Sequence, residues 1–172
     1  DLVTGLNAPR GIDVDAAAGK MYWTDAGTDK IQRANLDGSS AENLVTAGLL
    51  RPEGIALDPP ANRMYWAETS PPGLHHAALD GSGAVECATE VGSPWHLAIH
   101  AQGGGLYWTN SSGQRITGAD VSNGSLTSLE IRRMNATPGS IISFMVAAPR
   151  DRMRAARSAI RAAPAPTLRG TR

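Results

Sequence analysis

Apolar and polar positions in the first part of the chain follow one pattern that recurs three times. Each copy opens on a proline and then alternates: Pro9-Arg10-Gly11-Ile12-Asp13-Val14-Asp15, Pro52-Glu53-Gly54-Ile55-Ala56-Leu57-Asp58 and Pro94-Trp95-His96-Leu97-Ala98-Ile99-His100. Each continues with an aromatic pair, in Met21-Tyr22-Trp23-Thr24-Asp25, Met64-Tyr65-Trp66-Ala67-Glu68 and Leu106-Tyr107-Trp108-Thr109-Asn110. The tryptophans of these pairs stand 43 and then 42 residues apart. Eight residues beyond them come Ile31, Leu74 and Ile116, each opening a further short run that ends in turn residues.

A period near 43 residues with several short β-type runs per unit predicts the blades of a β-propeller. In the first unit strands are expected near Gly11–Asp15, Lys20–Asp25, Lys30–Asn35 and Glu42–Thr46, separated by Gly, Asp and Ser turns that suit hairpins. Adjacent strand residues point to opposite faces, so a Tyr next to a Trp fits a sheet packed on both sides, as a blade is between its neighbours.

At these residues the chain resembles the low-density-lipoprotein-receptor class B repeats, the YWTD propeller family, over about residues 1–136. The resemblance implies a six-bladed, extracellular or cell-envelope, non-enzymatic module that binds protein ligands. It also implies structural roles for Tyr22, Trp23, Asp25, Tyr65, Trp66, Tyr107 and Trp108. Only the first repeat keeps the full motif. Ala67-Glu68 and Asn110 depart from it, so the second and third blades are expected to be held less well.

The ends of the repeat frame are offset. Asp1-Leu2-Val3-Thr4-Gly5-Leu6 repeats Asn43-Leu44-Val45-Thr46-Ala47-Gly48-Leu49, which makes residues 1–8 an outer strand of a blade completed elsewhere. Blades are then expected at 9–51, 52–93 and 94–137. Pro138-Gly139-Ser140-Ile141-Ile142-Ser143-Phe144 reads as the inner strand of an unfinished fourth unit, 138–148. Residues 149–172 form a basic tail, read either as an amphipathic helix or as a degenerate fourth blade. The expected fold is thus all-β: a partial ring of three complete four-stranded blades plus an incomplete fourth, closed by a second chain. Open blade edges invite pairing, so a homodimer is expected, with six or eight blades in its ring.

Composition adds two points. The net charge is +0, yet residues 1–131 carry seven basic and fifteen acidic residues while 132–172 carry nine and one. An acidic body with a basic tail predicts that the two meet. Arginine supplies 14 of the 16 basic residues, the bias a GC-rich bacterial genome leaves. No apolar run reaches the roughly 18 residues of a membrane span, and no basic-then-apolar leader opens the chain.

Candidate chemistry is thin. The single Cys87 excludes an internal disulfide and reads as a small apolar filler. His75 and His76 point to opposite sides of a strand, and His96 and His100 stand roughly 13 Å apart at strand rise, neither a zinc arrangement. The acidic set Asp13, Asp15, Asp25, Glu53 and Asp58 makes a cation site imaginable, but such residues near strand ends usually cap backbone. No nucleophile elbow occurs, and the glycine runs lie in hairpins rather than before helices. The Asn-x-Ser/Thr triplets at Asn110, Asn123 and Asn135 read as accidents of turn composition. Neither metal nor cofactor is expected.

Recognition is placed instead where the repeats differ. The residue after each proline is Arg10, Glu53, Trp95 and then Gly139, on the rim near the channel. Variable residues on a repeated scaffold are free to recognise a ligand, and Trp and Arg are favoured contact residues. His96 joins them because it replaces Gly11 and Gly54. The reading is a non-catalytic binding module for a protein or small ligand, with neither nucleic acid nor membrane as partner. A metal-dependent propeller lactonase or lyase is the alternative, and an assembly-only module the third reading.

Overall fold

The computed structural model describes residues 1–89, 91–100 and 104–121. They form three antiparallel sheets in chain order. Blade 1 holds β1 (Pro9–Asp15), β2 (Lys20–Asp25), β3 (Lys30–Asn35) and β4 (Glu42–Val45). Blade 2 holds β5 (Pro52–Asp58), β6 (Arg63–Thr69), β7 (Pro72–Ala78) and β8 (Val85–Ala88). Blade 3 shows β9 (Pro94–His100), β10 (Gly105–Asn110) and β11 (Arg115–Asp120). Each blade is a meander, so every strand pairs with its sequence neighbour, and β1, β5 and β9 run side by side as the inner strands.

Register explains the aromatic pairs. Trp23 lies opposite Ile12 and Gln32, whereas Tyr22 lies opposite Asp13 and Arg33, so the two rings leave the sheet on opposite faces. The Tyr face of blade 1 supplies Tyr22, Ile31 and Val45 to one core, which the Trp face of blade 2 completes with Ile55, Leu57, Met64, Trp66 and Ala77. The next step repeats this. Tyr65, Ala67 and Leu74 of blade 2 meet Leu106 and Trp108 of blade 3, with Leu97 and Ile99 beside them.

Glycine sets the spacing of the inner strands. A Cβ on Gly11 would stand 2.7 Å from the Glu53 carbonyl oxygen and the Ile55 nitrogen, and one on Gly54 would stand 2.7 Å from His96 Cα. No side chain fits at either step, since the neighbouring backbone already fills that space.

Three expectations need correction or placing. Residues 1–8 are not a strand. They nevertheless lie where an outer strand would: the Leu2 carbonyl abuts Gly38 as the Leu44 carbonyl abuts Gly81, and Val3 and Leu6 cover Met21, Trp23 and Ala34. They make the contacts of an outer strand without pairing to a sheet among the described residues. Tyr107 is not buried like its equivalents; it is 41% exposed, against 2% for Tyr22 and 1% for Tyr65, because among the described residues no further blade packs on that face of blade 3. The unfinished fourth unit at 138–148, the tail at 149–172 and the residues completing blade 3 lie outside the described residues.

Candidate functional site

The residues after the prolines occupy equivalent places at one end of the inner strands, but they are not equally open. Glu53 is buried and Trp95 is 40% exposed. Arg10 Nε lies 3.7 Å from Glu53 Oε2, and that oxygen is buried without a hydrogen-bond partner. The structure therefore brings Arg10 and Glu53 together as a pair. It places Glu53 between blades rather than on the open rim, because the inner strands on either side cover it. A buried carboxylate oxygen lacking a donor is costly, and such groups concentrate at functional sites.

Trp95 faces the other way. With Thr109, Asn110, Ser111, Gln114, Arg115 and Ile116 it lines an open cavity of about 400 Å³. His96 is exposed beside it, and its N–H donates to Thr109 Oγ1 at 3.1 Å. The Gly11 N–H donates to Thr24 Oγ1 in the same manner at 2.9 Å, which establishes that His96 occupies the glycine position. The sequence indicated Trp95 and His96; it did not indicate Gln114, Arg115 and Ile116, which a hairpin of the same blade folds against Trp95. The only signal for them is that Ile116 is an apolar repeat residue left uncovered.

The anchor position after each Trp shows three solutions to one problem. Asp25 accepts the N–H groups of Asn7, Ala8, Gly27 and Thr28 at 2.9–3.2 Å, which ties the entry to β1 to the β2–β3 turn. Burial raises its pKa, but these four donors prevail and hold it below the usual value. Glu68, one methylene longer, accepts from Leu50 N–H and from Trp66 Nε1, both at 3.1 Å. Asn110 accepts from Ser93 N–H at 3.2 Å and donates to the Val91 carbonyl at 2.7 Å. With both ends of its amide engaged and its side chain buried, Asn110 does not present the free amide that glycosylation needs.

The remaining candidates are structural. Asp13 accepts from Leu57 N–H, Asp15 from Ala18 N–H and Asp58 from Ala61 N–H, so these carboxylates serve backbone. Among the described residues no three His, Cys, Asp or Glu side chains gather as metal ligands. His75 stacks on Trp66 at 5.5 Å and lies 3.7 Å from Glu68, whereas His76 packs at a tilt on Tyr65. Burial pushes the Cys87 thiol up to about 12, and the thiol donates to the Leu74 carbonyl. It is a packed, inert group.

Sheets stacked with their inner strands adjacent and their Tyr and Trp faces in contact are the blades of a β-propeller. Residues 19–59 match low-density lipoprotein receptor repeat class B, the YWTD repeat. Mouse nidogen-2 is 49% identical over 43 residues, which is 25% of this chain and 3% of that protein. Human low-density lipoprotein receptor-related protein 4 is 51% identical over 37 residues, 22% of this chain and 2% of that protein. The chain thus spans only a small part of these relatives. A crystal structure of a nidogen/laminin complex superposes with a TM-score of 0.54 at 19% identity, over 73% of this chain and 64% of that one. A gluconolactonase from Xanthomonas campestris superposes with a TM-score of 0.57 at 22% identity, over 70% of this chain and 46% of that one. At such identity these likenesses concern the fold. No helix among the described residues is long and apolar enough to cross a membrane.

Proposed function

We propose that this chain is a propeller interaction module that works outside the cell and recognises a protein partner through Arg10, Glu53, Trp95 and His96. The observation that carries the reading is that three equivalent positions on a repeated scaffold hold an arginine, a buried carboxylate and an exposed tryptophan. Glu53, buried 3.7 Å from Arg10, holds the half-exposed guanidinium in place for a partner, while Trp95 offers apolar contact area. The likeness to nidogen-2 and receptor-related protein 4 repeats supports the extracellular setting.

The test is a photocrosslinking residue at position 95 or, as a control, at exposed position 50, exposed to purified laminin and then to secreted-protein extract. Adducts at 95 that Glu53→Gln reduces severalfold, with none at 50, support the reading; equal adducts at both positions overturn it. A lactonase is the second reading, favoured by the gluconolactonase likeness and by the unpartnered Glu53 oxygen. Gluconolactone hydrolysis above the spontaneous rate, lost in Glu53→Gln, would replace the binding module with that enzyme.

A further inference from the structure

The indole nitrogens of the three repeat tryptophans are served differently. Trp23 Nε1 donates to Gln32 Oε1 at 3.0 Å, and Trp66 Nε1 donates to Glu68 Oε1 at 3.1 Å. Trp108 Nε1 is just as buried and has no protein acceptor. It belongs to the face of blade 3 that blade 2 closes.

Register shows what has changed. Gln32 stands opposite Trp23 on β3, and Thr117 stands opposite Trp108 on β11. Residues facing each other across an antiparallel pair project to the same side of the sheet. Thr117 therefore occupies the place from which Gln32 reaches its indole. A threonine oxygen sits directly on Cβ, whereas the glutamine oxygen lies two carbon–carbon bonds further out, so Thr117 falls short. Its Oγ1 is itself buried without a partner. The solution used in blade 2 is also closed, because Asn110, at the place of Glu68, spends its amide on Ser93 N–H, the Val91 carbonyl and the Ser112 hydroxyl.

One register pair thus holds two orphaned polar groups: an indole N–H that can only donate, and a hydroxyl that can donate and accept. Leaving them unmet carries the desolvation cost of buried polar groups, and a water is what ordinarily meets such groups inside a protein. Its oxygen accepts from the indole, and it exchanges a second hydrogen bond with the hydroxyl. Tyr65, Leu74 and Leu106 of the same core are fully buried, which leaves no place for a larger ligand.

We propose that one water molecule is built into blade 3 at its interface with blade 2, accepting the Trp108 indole N–H and bonded to the Thr117 hydroxyl, where blade 1 uses the amide of Gln32. Blade 3 then replaces a covalently attached acceptor by an exchangeable one, and residue 117 decides which of the two is used.

The test is made on the full chain labelled with ¹⁵N, by magnetisation transfer from water to the indole protons. A held water gives Trp108 Hε1 an NOE and a ROE of opposite sign, whereas direct proton exchange gives the same sign in both. No such pair is expected at Trp23, whose indole is met by Gln32. Thr117→Gln should erase the water peaks at Trp108 and leave the remaining amide spectrum dispersed. A crystal structure of the unaltered chain checks the same point without any variant: one water should lie within hydrogen-bond distance of both Trp108 Nε1 and Thr117 Oγ1. Same-sign or absent peaks at Trp108 in the unaltered chain would overturn the proposal. So would peaks that survive Thr117→Gln undiminished, or a crystal structure in which the two groups meet each other or another protein group instead.

Discussion

Between blades 1 and 2, Asp13 accepts the Leu57 N–H, the Thr24 hydroxyl accepts the Gly11 N–H and donates to the Glu53 carbonyl, and Arg33 donates to the Leu79 carbonyl. Between blades 2 and 3 the same three positions hold Ala56, Ala67 and His76. The alanines have no polar group to offer. Both interfaces bury an aromatic core of the same make, so what differs is the fastening around it. Apolar burial is proportional to area and weakly directional, whereas hydrogen bonds fix position. Blade 2 is accordingly pinned to blade 1 in register and angle, and among the described residues blade 3 is held to blade 2 mainly by packing. The blade with the looser attachment is also the one that carries the cavity lined by Trp95 and Arg115.

The largest effects should come from the cores. Trp66→Ala removes a fully buried indole from the first interface and should cost about 3–5 kcal/mol in urea melts. The phenylalanine variants separate the two interfaces better. Trp66→Phe leaves Glu68 Oε1 without its indole donor, adding about 1–3 kcal/mol to the packing loss. Trp108 Nε1 has no protein acceptor to lose, so Trp108→Phe should be the milder change. Equal costs for the two would mean that the indole–carboxylate bond contributes nothing.

Next in size is the Asp25 anchor. Asp25→Ala orphans four backbone N–H groups and should cost about 2–3 kcal/mol, the scale of hydrogen bonds to a charged group. The pH dependence has a definite sign. Because the folded-state pKa lies below the ordinary carboxyl value of 3.8, the stabilisation is complete above that value and is lost as pH falls through the folded pKa. Acid melts should show Asp25→Asn less stable than the parent at neutral pH and the gap closing below about pH 4. A gap that persists unchanged at low pH would show that charge is not what anchors blade 1. Asn110 does the corresponding work in blade 3 with a neutral amide, so Asn110→Ala should show no such closure.

Much of this contrast is legible in the sequence, and the reasons for the rest are physical. The repeat spacing locates the strands because alternation and turn residues act locally, and the loss of Thr at 67 and of Gly at 96 is plain once the copies are aligned. The burial of Glu53 is not legible, since it depends on strands on both sides that a single unit does not contain. Nor is the posture of Tyr107, which follows from Gly105 and Gly118 lying beside it only in register. Residues 1–8 show the converse. Their likeness to residues 43–49 locates their packing, but strand pairing needs a partner that the pattern within one segment does not specify. The weaker hold expected for blade 2 from Ala67-Glu68 divides in two: Glu68 keeps an anchor by virtue of its length, while Ala67 leaves a cross-blade link unmade.

That link can be moved. Thr24→Ala should cost about 1–2 kcal/mol, because it strips the Gly11 N–H and the Glu53 carbonyl of their shared partner inside a buried interface. Ala67→Thr puts a hydroxyl at the equivalent place, beside Gly54 and the Trp95 backbone. It should gain up to about 1 kcal/mol if the second interface adopts the first one's bonding. A loss instead would show that the second interface is too closely packed around Ala67 to accept the hydroxyl.

The smallest effect is kinetic and reads the second interface without perturbing the first. Cys87 is half-buried against the core that blade 2 shares with blade 3, and burial holds its thiol up to about 12. At pH 8 almost no thiolate exists in the closed state, so a disulfide reagent reacts only when the thiol is transiently released. Labelling of the native chain should therefore be slow, and its rate should follow the opening of the looser interface. Ala67→Thr, if it installs the cross-blade link, should slow labelling by about the factor its stability gain implies, severalfold for up to about 1 kcal/mol. Thr24→Ala should leave the rate nearly unchanged, because it loosens a different step of the stack. A rate that responds equally to both substitutions would mean that the three blades open as one unit, and the distinction between a pinned and a packed interface would then have no consequence for motion.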